Sequence, residues 1–206
     1  MSKDTDSRED DGSEPRRVRA DAQRNIDALL RAAKDVFASS GVDAPVREIA
    51  EKAGVGLGTL YRHFPQRSDL IVAIMRREID ACADAARTLS AKHGPGEALA
   101  RWMQRYVDFV ATKRGLASAL HSGDPAYLPL RVYFDQHLKP ALQTLLDGAI
   151  AAGEIRAGEE PDDLLRAVPS LCMSAEGKGG LARARRMVAL LVDGLRYGAS
   201  QADAPP

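Results

Sequence analysis

The stretch Pro45–Phe64 restricts this chain more than any other, because it carries two helix starts separated by one sharp bend. Pro45 suits a first helical position, where its missing N–H would have no partner anyway. Val46, Ile49, Ala50 and Ala53 then recur at helical spacing. Gly54 predicts the end of that helix, since glycine enters the left-handed region without a Cβ clash. Val55 can fill the angle that follows. A second helix is predicted from about Gly56–Gly58, with Leu60 and Phe64 as its apolar face. Two short helices across a tight glycine turn form a helix-turn-helix.

The opposite face of the second helix carries the chemistry. Thr59, Tyr61, Arg62 and His63 are predicted to point outward, and each can hydrogen-bond a phosphate or reach a base edge. Gly56 and Gly58 remove bulk at the helix start, where free N–H groups and the helix dipole favour an anion. Arg47 and Arg67 stand on either side as candidate phosphate clamps. Val46-Arg47-Glu48-Ile49-Ala50, Gly54-Val55, Gly58-Thr59-Leu60-Tyr61-Arg62-His63-Phe64 and Arg67 together resemble the DNA-binding domain of the TetR family of transcriptional regulators. The resemblance spans about Asn25 to Met75. Two positions depart from it. Ala44 stands where a Ser or Thr cap is common, and Leu57 where a lysine or other polar residue is common. Leu57 either weakens the phosphate grip or makes a methyl contact to thymine.

Charge distribution agrees with such a head. The whole chain balances 29 basic against 29 acidic side chains. Met1–Glu14 holds two basic and six acidic residues, whereas Pro15–Arg67 holds ten basic and six acidic. A neutral chain can thus present a locally positive face, which is what sequence-specific binding needs. The polar leader, residues 1–20, lacks periodicity and is expected to be disordered. Its Arg16, Arg17 and Arg19 either follow DNA as an arm or are merely solvated. Asp21–Ser40 is predicted as the first helix, striped by Ile26, Leu29, Leu30, Ala33 and Phe37.

Beyond the head the chain continues in helical periodicity. Arg67 to about Lys92 predicts a long helix that could link head to body as a lever. Glu97–Lys113 places Trp102, Tyr106 and Phe109 on one face, either as ordinary core or as the wall of a ligand cavity. Gly115–His121 is a short helix, Leu128–Ala152 a long one that Pro140 should bend or lock into a local opening, and Asp162–Ser174 a segment expected to break at Pro169. In Leu181–Tyr197 one stripe is Leu181, Ala184, Val188, Leu191 and Leu195, and a second is Met187, Leu190, Gly194 and Gly198. A helix apolar on two sides needs two partners. These are a core on one side and, as the resemblance implies, the same helix of a second subunit on the other. The alternative is a central helix of a monomeric bundle. Residues 200–206 are read as a disordered tail.

Enzymatic chemistry finds little support. His63, His93, His121 and His137 form no i, i+4 metal pair, and no nucleophile elbow is present. Gly177-Lys178-Gly179-Gly180 lacks the spacing of a phosphate-binding loop. No catalytic residue, metal or cofactor is therefore expected. Cys82 and Cys172 read as buried thiols of a reduced, cytoplasmic protein. No apolar run is long enough to cross a membrane.

The fold expected is all-α: a three-helix head over residues 21–67, then a helical regulatory and dimerisation bundle over 68–199. The resemblance implies a homodimer formed through the last two helices. It also implies a double-stranded DNA operator with inverted-repeat symmetry, and a repressor released by a small-molecule effector. Trp102, Tyr106, Phe109, His121, Tyr133, His137 and Met173 are the candidate effector contacts. The competing readings are an enzyme, or a helical adaptor whose helix-turn-helix contacts protein. Salt-sensitive, sequence-selective duplex binding separates them.

Overall fold

A computed structural model of the chain describes residues 13–173 and 179–197. Those residues form helices α1 (Ser13–Ser40), α2 (Val46–Ala53), α3 (Leu57–His63), α4 (Arg67–Ser90) and α5 (Pro95–Gly115). After a short α6 (Ala117–Leu120) and a 3-10 turn (Pro125–Tyr127) come α7 (Pro129–Ala151), α8 (Pro161–Met173) and α9 (Gly180–Tyr197). The described residues are thus all-helical. None of these helices is long and apolar enough to cross a membrane. The expected tail at 200–206 lies outside the described residues.

In the head, α1 supplies the apolar floor. Leu29, Ala33, Val36 and Phe37 join one buried cluster with Ile49, Ala50, Leu60 and Phe64. Two short helices could not bury this much alone, which is why the motif needs a longer third helix. The turn between α2 and α3 forms as glycine dictates. Gly54 takes φ 70°, and the N–H groups of Gly54 and Val55 reach back to the carbonyls of Glu51 and Ala50 at 3.1 and 3.0 Å. Pro45 is the N-cap of α2 rather than its first helical residue, and no side chain caps that end.

One helix boundary differs clearly from expectation. α1 begins at Ser13, well ahead of Asp21, so part of the segment read as a disordered leader is helical. Ser13-Glu14-Pro15 supplies residue types that open helices, and Arg16, Arg17, Arg19 and Ala20 are good helix formers. Residues 1–12 lie outside the described residues.

In the body, α5 lies at the centre, with α4, α7, α8 and α9 packed against it. α8 does not break at Pro169, as the sequence predicts, but runs through it. A proline there cannot donate to the Leu165 carbonyl four residues back. The Tyr106 hydroxyl of α5 donates to that carbonyl instead, at 2.9 Å. α7 likewise runs through Pro140. In α9 the buried stripe is Ala184, Val188, Val192 and Leu195, whereas Leu181 is 44% exposed. Of the second stripe, Leu190 is 70% exposed and Gly194 is at the surface in the single chain, whereas Met187 is half-buried. Gly198 lies outside the described residues.

Head and body share one continuous apolar cluster and one buried carboxylate. Glu78 of α4 is 8% exposed. Its Oε1 accepts from Lys34 Nζ of α1 at 2.8 Å, and its Oε2 lies 3.6 Å from Arg105 Nη2 of α5. A second ion pair, Arg77 to Asp27 at 2.7 Å, ties α4 to α1 nearer the surface.

Candidate nucleic-acid interface

The packing of Leu60 and Phe64 decides which way α3 faces. Both are buried, at 1% and 8% exposure, so the helix turns Leu57, Gly58, Tyr61 and Arg62 to solvent. Thr59 and His63 are half-buried at the flanks. The structure therefore brings Leu57, Gly58, Thr59, Tyr61, Arg62 and His63 onto one short convex surface, with Gly56 as the N-cap. Arg47 of α2 is also exposed, 3.9 Å from Glu51. An exposed ion pair of this length is weak and exchanges readily for a phosphate.

Arg67 departs from expectation. Its guanidinium does not stand outward as a phosphate clamp. Nη1 donates to the Val42 and Ala44 carbonyls, the latter at 2.8 Å, and the group sits 6.0 Å from the Phe37 ring centroid. Arg67 thus fastens the start of α4 to the loop between α1 and α2. The start of α4 is also capped from within, where the Gln66 N–H donates to the Asp69 carboxylate at 2.9 Å.

None of the residues expected around an effector lines either of the two small cavities found at the joint of α1, α4 and α5. Trp102, Tyr106 and Phe109 are at most 1% exposed and stack in series, with centroids 5.5 and 5.8 Å apart. Phe134 of α7 closes the stack from the side. Their polar handles are engaged, Trp102 Nε1 donating to the Cys82 carbonyl at 2.8 Å and Tyr106 donating to Leu165. Tyr133 and His137 form a separate half-buried couple 4.0 Å apart, with the Tyr133 hydroxyl donating to Asp80 at 2.7 Å. His121 is exposed and Met173 is 69% exposed. Those two cavities measure about 60 and 30 Å³, and Lys34 and Ile74 line both. A small-molecule site needs about 300 Å³ or more.

Among the described residues, no cluster of three His, Cys, Asp or Glu side chains could hold a metal ion. Residues 94–197 match the C-terminal domain of SbtR-like transcriptional regulators, and residues 29–74 match the bacterial regulatory proteins of the tetR family. The fold also superposes on the crystal structure of the TetR transcriptional regulator SCO0520 from Streptomyces coelicolor with a TM-score of 0.73. That pair is 39% identical over 83% of this chain and 98% of the other. The chain belongs to the TetR family. A TetR regulatory protein from Mycobacterium vanbaalenii is similarly related, at 36% identity and TM-score 0.68 over 87% of this chain and 99% of that one. An HTH-type transcriptional regulator of Staphylococcus aureus is 38% identical over 64 residues, 31% of this chain. That match spans only 35% of the staphylococcal protein's length.

This TetR-family protein is accordingly a helix-turn-helix, DNA-binding transcriptional regulator, and the family is not enzymatic. One structural residue escaped the sequence reading. Glu78 falls between Met75 and Cys82 on the apolar stripe of α4, at helical spacing from both. A lone carboxylate on such a stripe signals a buried ion pair. Its partners Lys34 and Arg105 lie far off in sequence and carry no local sign of the pairing.

Proposed function

We propose that this regulator is a homodimeric repressor that reads an inverted-repeat operator in the cytoplasm. The carrying observation is the solvent face of α3, where Tyr61, Arg62 and Gly58 project while Leu60 and Phe64 anchor the helix from behind. Each protomer lays that face in a major groove. Two-fold symmetry then requires half-sites on successive turns of one side of the duplex, or nearly so. Arg47, Arg62 and His63 hold phosphates, and Thr59 and Tyr61 add hydrogen bonds to phosphates or base edges. The outward stripe of α9, with Leu190 and Gly194, forms the two-fold contact together with α8.

Release from DNA follows binding of a small molecule in the body. The stack is closed in the free chain, so the effector site is one that forms on binding, with Trp102, Tyr106 and Phe109 parting from Phe134. An effector acts only through unequal affinity for the two head spacings.

Gel-shift titration against duplexes selected from a random pool tests the reading. A repressor of this kind retains sequence-selected duplexes over bulk DNA, with affinity falling steeply as salt rises. A monomer in sedimentation, or equal affinity for selected and unselected duplexes, overturns it.

A further inference from the structure

The start of α3 has an unusual composition for a helix. Leu57 stands between two glycines, Gly56 and Gly58. Gly58, inside α3, is not needed by the chain itself. Both glycines lie outside the positive-φ set, and a Cβ added at Gly58 would meet nothing within 4 Å. A Cβ at Gly56 would meet only the Thr59 hydroxyl oxygen, at 4.0 Å. Gly56 suits its place as the N-cap, but glycine inside a helix is destabilising, so Gly58, which has no internal reason, points to an external surface that comes close. Between them, Leu57 is 37% exposed, and one turn on along the same face Tyr61 is 48% exposed.

A leucine pressed into a groove between two bare backbone positions must meet something apolar or lose its hydration without return. The major-groove edges of the bases are polar apart from one group, the C5-methyl of thymine. We infer that Leu57 is a specificity-determining residue that reads a thymine methyl in each half-site, with the Tyr61 ring as the neighbouring wall. This rests on the DNA-binding reading of α3. The glycines admit the base pair edge, Leu57 supplies the only apolar contact at that point, and cytosine or uracil at the same position leaves the leucine facing a polar or empty edge.

The test uses the full chain and duplexes it selects from a random pool. The selected duplex is then resynthesised with deoxyuridine in place of thymidine, which deletes the methyl groups and keeps the pairing. Wild type is expected to lose about four-fold in affinity per contacted methyl, and Leu57→Ala to bind both duplexes equally. Leu57 is exposed, and an unchanged thermal melt confirms that the variant folds. Restoring one thymidine at a time locates the position, and one position per half-site is expected to recover the loss. If wild type ignores the substitution, or if wild type and Leu57→Ala lose equally, Leu57 does not read a methyl. If the chain selects no duplex at all, the DNA-binding reading fails, and this inference falls with it.

Discussion

The Tyr106 hydroxyl donates to the Leu165 carbonyl at 2.9 Å, and Leu165 lies four residues before Pro169. A side chain from one helix thus satisfies the acceptor that a proline orphans in another. Tyr106→Phe leaves that carbonyl buried and unpaired, and is expected to destabilise the fold by about 1–3 kcal/mol. In a Pro169→Ala background, the new backbone N–H can take over, so the same substitution should cost clearly less. Urea unfolding of the four proteins in the cycle measures the difference. Equal cost in both backgrounds would remove the link.

Arg62 and Arg67 separate two roles that the sequence assigns alike. Arg62 is exposed on α3, whereas Arg67 is held by the Val42 and Ala44 carbonyls. Arg62→Ala should flatten the salt dependence of duplex binding by about one unit of slope. Arg67→Ala should leave the slope unchanged and lower thermal stability, since two carbonyls lose their donor. Arg67→Lys should not restore it, because a single ammonium on a flexible stem lacks the rigid fork of donors.

Gly96, at the start of α5, sits under the Glu154 carboxylate. Its N–H donates to Glu154 Oε2 at 3.1 Å, and a Cβ there would run into that oxygen and lie 3.2 Å from the Glu154 Cβ. Gly96→Ala is expected to destabilise by about 1–3 kcal/mol through overpacking. Adding Glu154→Ala should remove most of the excess beyond the loss of the Glu154 contact itself. Thermal or urea unfolding decides it.

Burial pushes the Cys82 thiol from its ordinary 9.0 up to about 12, with Arg105 partly opposing. The folded state therefore favours the neutral thiol. Its contribution to stability is complete below pH 9 and is lost as pH rises between 9 and about 12, because the unfolded thiol ionises first. At pH 8, alkylation of Cys82 should run no faster than opening of the fold, as followed by peptide mapping. Prompt modification of the folded protein would contradict this environment.

Leu190 tests the dimer. It is 70% exposed in the single chain, so replacing it disturbs no internal contact of consequence. Leu190→Glu should shift sedimentation from dimer to monomer and weaken operator binding, with the thermal melt of the isolated chain little changed. A dimer of undiminished strength would place the two-fold elsewhere.

What was legible in the sequence follows from how local its cause is. Gly54, Leu60 and Phe64 fix the turn and the orientation of α3 through neighbours a few residues away, and they behave as expected. The shared face of Trp102, Tyr106 and Phe109 was equally legible, because it is periodicity alone. Whether that face borders space or another helix depends on Phe134 and on the Leu165 carbonyl, and no spacing within α5 encodes either. The place of Arg67 differs from expectation for the same reason. Its acceptors are backbone carbonyls, which every residue has and no sequence advertises. Pro169 alone predicts a break, because its compensation comes from another helix.

The Glu78 carboxylate answers to two cations on different helices. Sliding α1 away would leave Arg105 as its sole counter-charge at 3.6 Å, and drawing α5 away would leave Lys34 alone. An uncompensated ion in so dry a place is heavily penalised. Displacements of those two rods are consequently correlated through one anion, much as two children on a seesaw share a single pivot.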